Sequence, residues 1–71
     1  MTPTQKRILR DFIRCGGSNA GRKNIPWLES VLGIHIQSET VRGEGTCLYP
    51  LCDVDMNVVK ATAAKVLGET L

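Results

Sequence analysis

The stretch from Asn24 to Ile34 constrains this chain most, because it carries a helix start, an apolar face and a helix stop within a few turns. Asn24 is positioned to cap a helix, and Pro26 sits early enough to cost no internal hydrogen bond. Gly33 supplies the residue that most readily adopts the left-handed conformation that ends a helix. Between them Trp27, Leu28, Val31 and Leu32 recur three and four residues apart, so one side of the helix is apolar. A chain of 71 residues builds one small core, so that face has to be part of it.

The flanking segments are read the same way. Thr2 or Thr4 caps a first helix over about 4–15, with Pro3 tolerated at its start and Gly16-Gly17 breaking it. Ile8, Leu9, Phe12 and Ile13 form its apolar stripe, while Lys6, Arg7, Arg10 and Arg14 cluster on another side. Residues 16–24 are glycine-rich and polar and read as a flexible connection. They lack the glycine before the lysine that a phosphate-binding loop requires.

After the central helix, residues 34–41 alternate as a strand, Arg42-Gly43-Glu44-Gly45 reads as a turn, and 46–51 forms the return strand. A short helix over Gln37–Arg42 is the competing reading. Asp53 or Asp55 caps a third helix, over about 55–67 and closed by Gly68, with Met56, Val59, Ala63, Val66 and Leu67 on one face. That face packs as core or forms a homodimer seam. The expected fold is therefore α+β and α-rich: three helices with one β-hairpin, in a single domain spanning 1–71.

Charge is unevenly distributed. Residues 1–23 hold Lys6, Arg7, Arg10, Arg14, Arg22 and Lys23 against Asp11 alone, whereas the remainder is acidic by three charges, leaving +2 overall. A basic head on a mildly acidic body points to a polyanion or an acidic protein surface as partner. Three cysteines and no secretory signal place the chain in a reducing cytoplasm, and no apolar run approaches the ~20 residues of a membrane span.

Catalytic chemistry has little to work with. His35 is the one histidine, no carboxylates pair at a recognisable spacing, and the chain is read as a non-enzyme without cofactors. Cys15, His35, Cys47 and Cys52 form a zinc-ligand set by residue type. The filler between the last two cysteines is apolar where a zinc knuckle turns on glycine or polar residues, so reduced cysteines are the preferred reading.

The run Thr2–Arg14 resembles the first helix of winged helix-turn-helix DNA-binding domains. Glu29-Ser30-Val31-Leu32-Gly33-Ile34 resembles their second helix and its turn, and Ser38-Glu39-Thr40-Val41 the start of their recognition helix. The resemblance covers about residues 2–42. It implies a winged-helix-like fold and a small double-stranded-DNA-binding transcriptional regulator of the kind phages and other mobile elements encode. The gap before Thr40 is longer than the family's turn, and Gly43 and Gly45 stop a helix there after barely two turns.

Candidate nucleic-acid contacts are Lys6, Arg10, Arg14, Arg22, Lys23, Gln37 and Arg42, the last at the tip of a wing. The alternative is a protein-binding inhibitor or antirepressor anchored by Arg10, Arg14, Trp27 and Tyr49.

Overall fold

The computed structural model describes residues 1–51 and 53–69, and for Glu69 the backbone only. The elements run α1 (Pro3–Cys15), β1 (Ser18–Asn19), a 3-10 turn (Arg22–Asn24), α2 (Ile25–Leu32), β2 (Ile36–Val41), β3 (Gly45–Pro50) and α3 (Met56–Glu69). The expected three helices and the hairpin are all present. The expected α-rich α+β class describes the molecule.

α1 starts on a reciprocal cap. Thr2 Oγ1 accepts from Gln5 N–H at 3.1 Å and Gln5 Oε1 accepts from Thr2 N–H at 2.9 Å, satisfying two backbone donors that the helix leaves free. It ends at Gly16, whose φ of 76° lets its N–H reach the Phe12 carbonyl. α2 ends on Gly33 in the same way, at φ 68°. α3 begins on Asp55, whose Oδ1 accepts from Asn57 N–H at 2.9 Å.

Three sequence expectations need correcting here. Asn24 does not cap α2: its backbone is already helical, and its side-chain amide donates to the Gly21 carbonyl instead. Gly68 lies inside α3, which continues to Glu69. The glycine-rich segment 16–24 is not merely a connection, since it contains β1 and the 3-10 turn. Ser18-Asn19 has too short a pattern to announce a strand; it is held by pairing with β3.

The three strands form an antiparallel sheet in the order β1-β3-β2, with Ser18 opposite Leu48 and Ile36 through Val41 opposite Pro50 through Gly45. The segment Ser38–Val41, which resembles the start of a recognition helix, is thus strand. Its polar run, Ser38, Glu39 and Thr40, becomes progressively exposed toward the turn, and Gly43 and Gly45, at φ 84° and 87°, fold the chain back immediately after it.

One sheet face and all three helices enclose the core. Ile8, Leu9 and Phe12 of α1, Leu28 and Leu32 of α2, Ile36 and Leu48 of the sheet, and Val59 and Ala63 of α3 are buried. α1 lies along α3, where the small, fully buried Ala63 permits close approach, and β1 lies along α1. Ser18 is the buried polar residue, and its hydroxyl is satisfied by donating to Asp11 Oδ2 at 2.8 Å. Among the described residues no helix is long and apolar enough to cross a membrane.

Candidate nucleic-acid interface

The core-facing stripe of α1 determines where its cations go. With Ile8, Leu9 and Phe12 turned inward, the helical period places Lys6, Arg7, Arg10 and Arg14 on the opposite side; the three arginines are exposed and Lys6 is half-buried. From Arg7 to Arg14 this row extends roughly 10 Å along the axis at 1.5 Å per residue. Asp11, the acidic residue within the basic segment, is engaged by Ser18 rather than by a neighbouring arginine.

Among the described residues the one ion pair within 4.0 Å joins His35 and Glu29, at 3.7 Å. No described lysine or arginine is neutralised by a carboxylate at that range. The row therefore presents its charge to solvent.

Asn19 ties the hairpin turn to the N-terminal half of α1. Its main-chain carbonyl accepts from Arg7 Nη2 at 3.0 Å, and its side-chain amide donates to the Glu44 carbonyl in the hairpin turn at 2.8 Å. One residue on, Ala20 N–H donates to the Thr46 carbonyl at 2.9 Å. The chain then enters the 3-10 turn, which exposes Arg22 and Lys23, while the hairpin turn exposes Arg42. Sequence reasoning counted Arg7 in the basic cluster without assigning it a contact, and Asn19 carried no signal, because its role depends on a long-range meeting of α1 with the hairpin.

Gln37 is separated from this group. It lies half-buried at the other end of β2, roughly 16 Å of strand from Arg42, and its amide donates to the Pro50 carbonyl at 3.2 Å. α2 offers no cation: its exposed positions are Pro26 and Ser30. For base reading, the exposed face of α2 offers the Ser30 hydroxyl and no cation.

The two aromatic anchors of the alternative reading are less open than its arginines, Arg10 and Arg14. Trp27 is half-buried against the core, and Tyr49 is half-buried with its hydroxyl donating to Glu39 Oε2 at 3.2 Å. Partial burial is the largest reason that the Tyr49 phenol is held above its ordinary pKa of 10.0, followed by the hydrogen bond to Glu39, the Glu39 charge and the electrostatic effect of neighbouring Cys47.

The described members of the zinc-type set, Cys15, His35 and Cys47, do not come together as a group of three. Among the described residues no three histidine, cysteine or acidic side chains come together to hold a metal, and Cys52 lies outside the described residues. His35 is exposed beside Glu29, next to the end of β2 that pairs with Pro50, whereas Cys47 pairs opposite Glu39 further along the strand. The single Cys15 thiol hydrogen lies within reach of the carbonyls of Asp11 and Gly17, at 3.3 and 3.4 Å, and Cys15 shares with Cys47 and Tyr49 a shallow apolar groove of about 240 Å³.

Comparison with known proteins finds no matching family model, no matching curated protein and no matching solved structure. The functional reading consequently rests on the arrangement of these side chains.

Proposed function

We propose that this chain is a small double-stranded-DNA-binding regulator that docks on the phosphate backbone through the outer face of α1, the 3-10 turn and the hairpin tip. The observation that carries the reading is the uncompensated basic row Lys6, Arg10 and Arg14, continued toward Arg22, Lys23 and Arg42 around Asn19. Guanidinium groups on a rigid helix suit phosphate oxygens, which they engage by bidentate, charge-assisted hydrogen bonds. The hairpin with Arg42 at its tip supports the wing part of the winged-helix likeness.

Residues 38–41 are strand and α2 lacks cations, so affinity arises from phosphate contacts with limited sequence discrimination. Gln37 makes no part of the proposed surface.

The decisive measurement is duplex DNA binding followed by fluorescence anisotropy across a salt series. Micromolar binding at low salt that falls steeply and log-linearly as salt rises is the expected result. No duplex affinity at low salt ends the reading and leaves the protein-binding alternative, which pull-down from cells with Arg10 and Arg14 variants then addresses.

A further inference from the structure

The two edges of the sheet are finished differently. In an antiparallel strand the main-chain groups of successive residues point alternately to the two neighbours. On β1, Ser18 and Ala20 face β3, as the bond from Ala20 N–H to Thr46 shows, so Asn19 faces outward; its carbonyl is covered by Arg7. On β2, Leu51 N–H donates to the His35 carbonyl, so His35, Gln37 and Glu39 face β3, and Ile36, Ser38 and Thr40 face outward.

Only the first of those outward positions has a donor covered: Ile36 N–H donates to Glu29 Oε2 at 2.9 Å. Beyond it, the N–H and carbonyl groups of Ser38 and Thr40 lie along an edge with no protein partner among the described residues. β2 has no proline or bulge, and its register against β3 is continuous from Ile36 to Val41. It thus lacks the proline and the bulge that commonly keep strand edges from pairing, and Glu39 is the one charged residue along it.

We propose that a second copy of this chain adds its own β2 antiparallel to this edge, with the two-fold axis at Ser38, so that one sheet runs through both subunits. This surface is independent of the DNA reading. The axis position follows from hydrogen bonding and charge together. Centred on Ser38, the ladder forms a reciprocal pair of bonds with the partner's Ser38, and Thr40 N–H reaches the Ile36 carbonyl of the partner subunit, leaving the covered Ile36 N–H undisturbed.

On the solvated face the same register sets Gln37 against the partner's Glu39. Gln37 uses one amide hydrogen on Pro50, leaving the other free, and Glu39 uses Oε2 on Tyr49, leaving Oε1 free. A two-residue slip centring the pair on Glu39 would set two carboxylates directly opposite each other, which is destabilising. The residues of β2 thus match the register centred on Ser38 and disfavour the one centred on Glu39.

Sedimentation equilibrium of the full chain over a wide concentration range tests this. A concentration-dependent monomer–dimer equilibrium is expected. Thr40→Pro removes an outward N–H that no intrachain bond uses, and it should shift the equilibrium to monomer while circular dichroism stays unchanged. Q37E places like charges across the axis twice and should weaken the dimer roughly ten-fold at neutral pH.

In the Q37E/E39Q double variant the amide and carboxylate merely exchange strands, and dimerisation should return. If T40P fails to fold, this charge swap still decides. A monomer at every concentration overturns the proposal, as does a dimer indifferent to Q37E, including one formed through the outer face of α3.

Discussion

Arg7 donates from its guanidinium to the main-chain carbonyl of Asn19 at 3.0 Å, joining α1 to the outer edge of the sheet. Through the Asn19 side chain the link continues to Glu44, so the first helix and the hairpin turn are held by one residue. Replacing Asn19 with alanine leaves the Arg7 bond intact and removes the bond to the turn. A loss of about 1 kcal/mol in urea unfolding is expected. Faster hydrogen exchange at Ala20 N–H should accompany it, because the Ala20–Thr46 bond lies next to the one removed.

Two left-handed glycines with different surroundings give a graded prediction. Gly33, at φ 68°, has nothing within 4 Å of where a Cβ would lie, so Gly33→Ala should cost only the conformational penalty, about 1–2 kcal/mol. Gly16, at φ 76°, lies beneath Met56, whose methyl group a Cβ would overlap. That methyl is the far end of a flexible, exposed side chain that can swing aside, so Gly16→Ala should be the more destabilising by only a small margin in thermal melting. Adding Met56→Ala should recover part of the difference, a non-additivity expected of residues in contact.

The apolar framework was legible because helical and strand periods are written directly in residue order. Ile8, Leu9 and Phe12, then Leu28 and Leu32, then Val59 and Ala63 fall at three- and four-residue spacings, and all of them are buried. The hairpin was legible from alternation and from Gly43 and Gly45. What was hidden depended on distant partners: Ser18-Asn19 becomes strand only against Cys47-Leu48, and Asn24 gives up its expected cap for a local bond to Gly21. For the candidate site, the cations of α1 could be placed on one helix face from spacing. Their connection to the hairpin through Asn19 could not, because Asn19 and Glu44 are far apart in sequence. No sequence signal reveals that Gln37 bonds Pro50 at the end of the sheet remote from Arg42.

Tyr49 is the only tyrosine, so its ionisation can be followed directly by tyrosinate absorbance. Its midpoint should lie above 10.0, and E39Q should lower it by removing both the hydrogen-bonding carboxylate and its charge. Some elevation should remain, since partial burial is the largest cause. The sign for stability follows. A phenol whose folded pKa exceeds its unfolded value favours folding fully below about pH 10, and that contribution is lost as pH rises from there through the folded pKa. E39Q should therefore show a shallower loss of stability on the alkaline side, measured by urea unfolding at a series of pH values.

Phosphate docking makes a residue-by-residue prediction about salt. Each cation that displaces a condensed counterion contributes about 0.9 to the slope of log affinity against log salt. Neutralising Arg10, Arg14, Arg22 or Arg42 to glutamine should lower affinity for duplexes of unrelated sequence alike, reducing the slope by about one per contacting residue. Lys60 and Lys65 lie on α3, outside the proposed surface, and their glutamine variants should leave the slope unchanged. Gln37→Ala should be equally silent, because Gln37 lies at the end of the sheet remote from the hairpin tip. Slopes that respond equally to the α3 lysines and the α1 arginines would mean that the chain binds DNA as a diffuse cation, without the docking surface proposed for α1 and the hairpin.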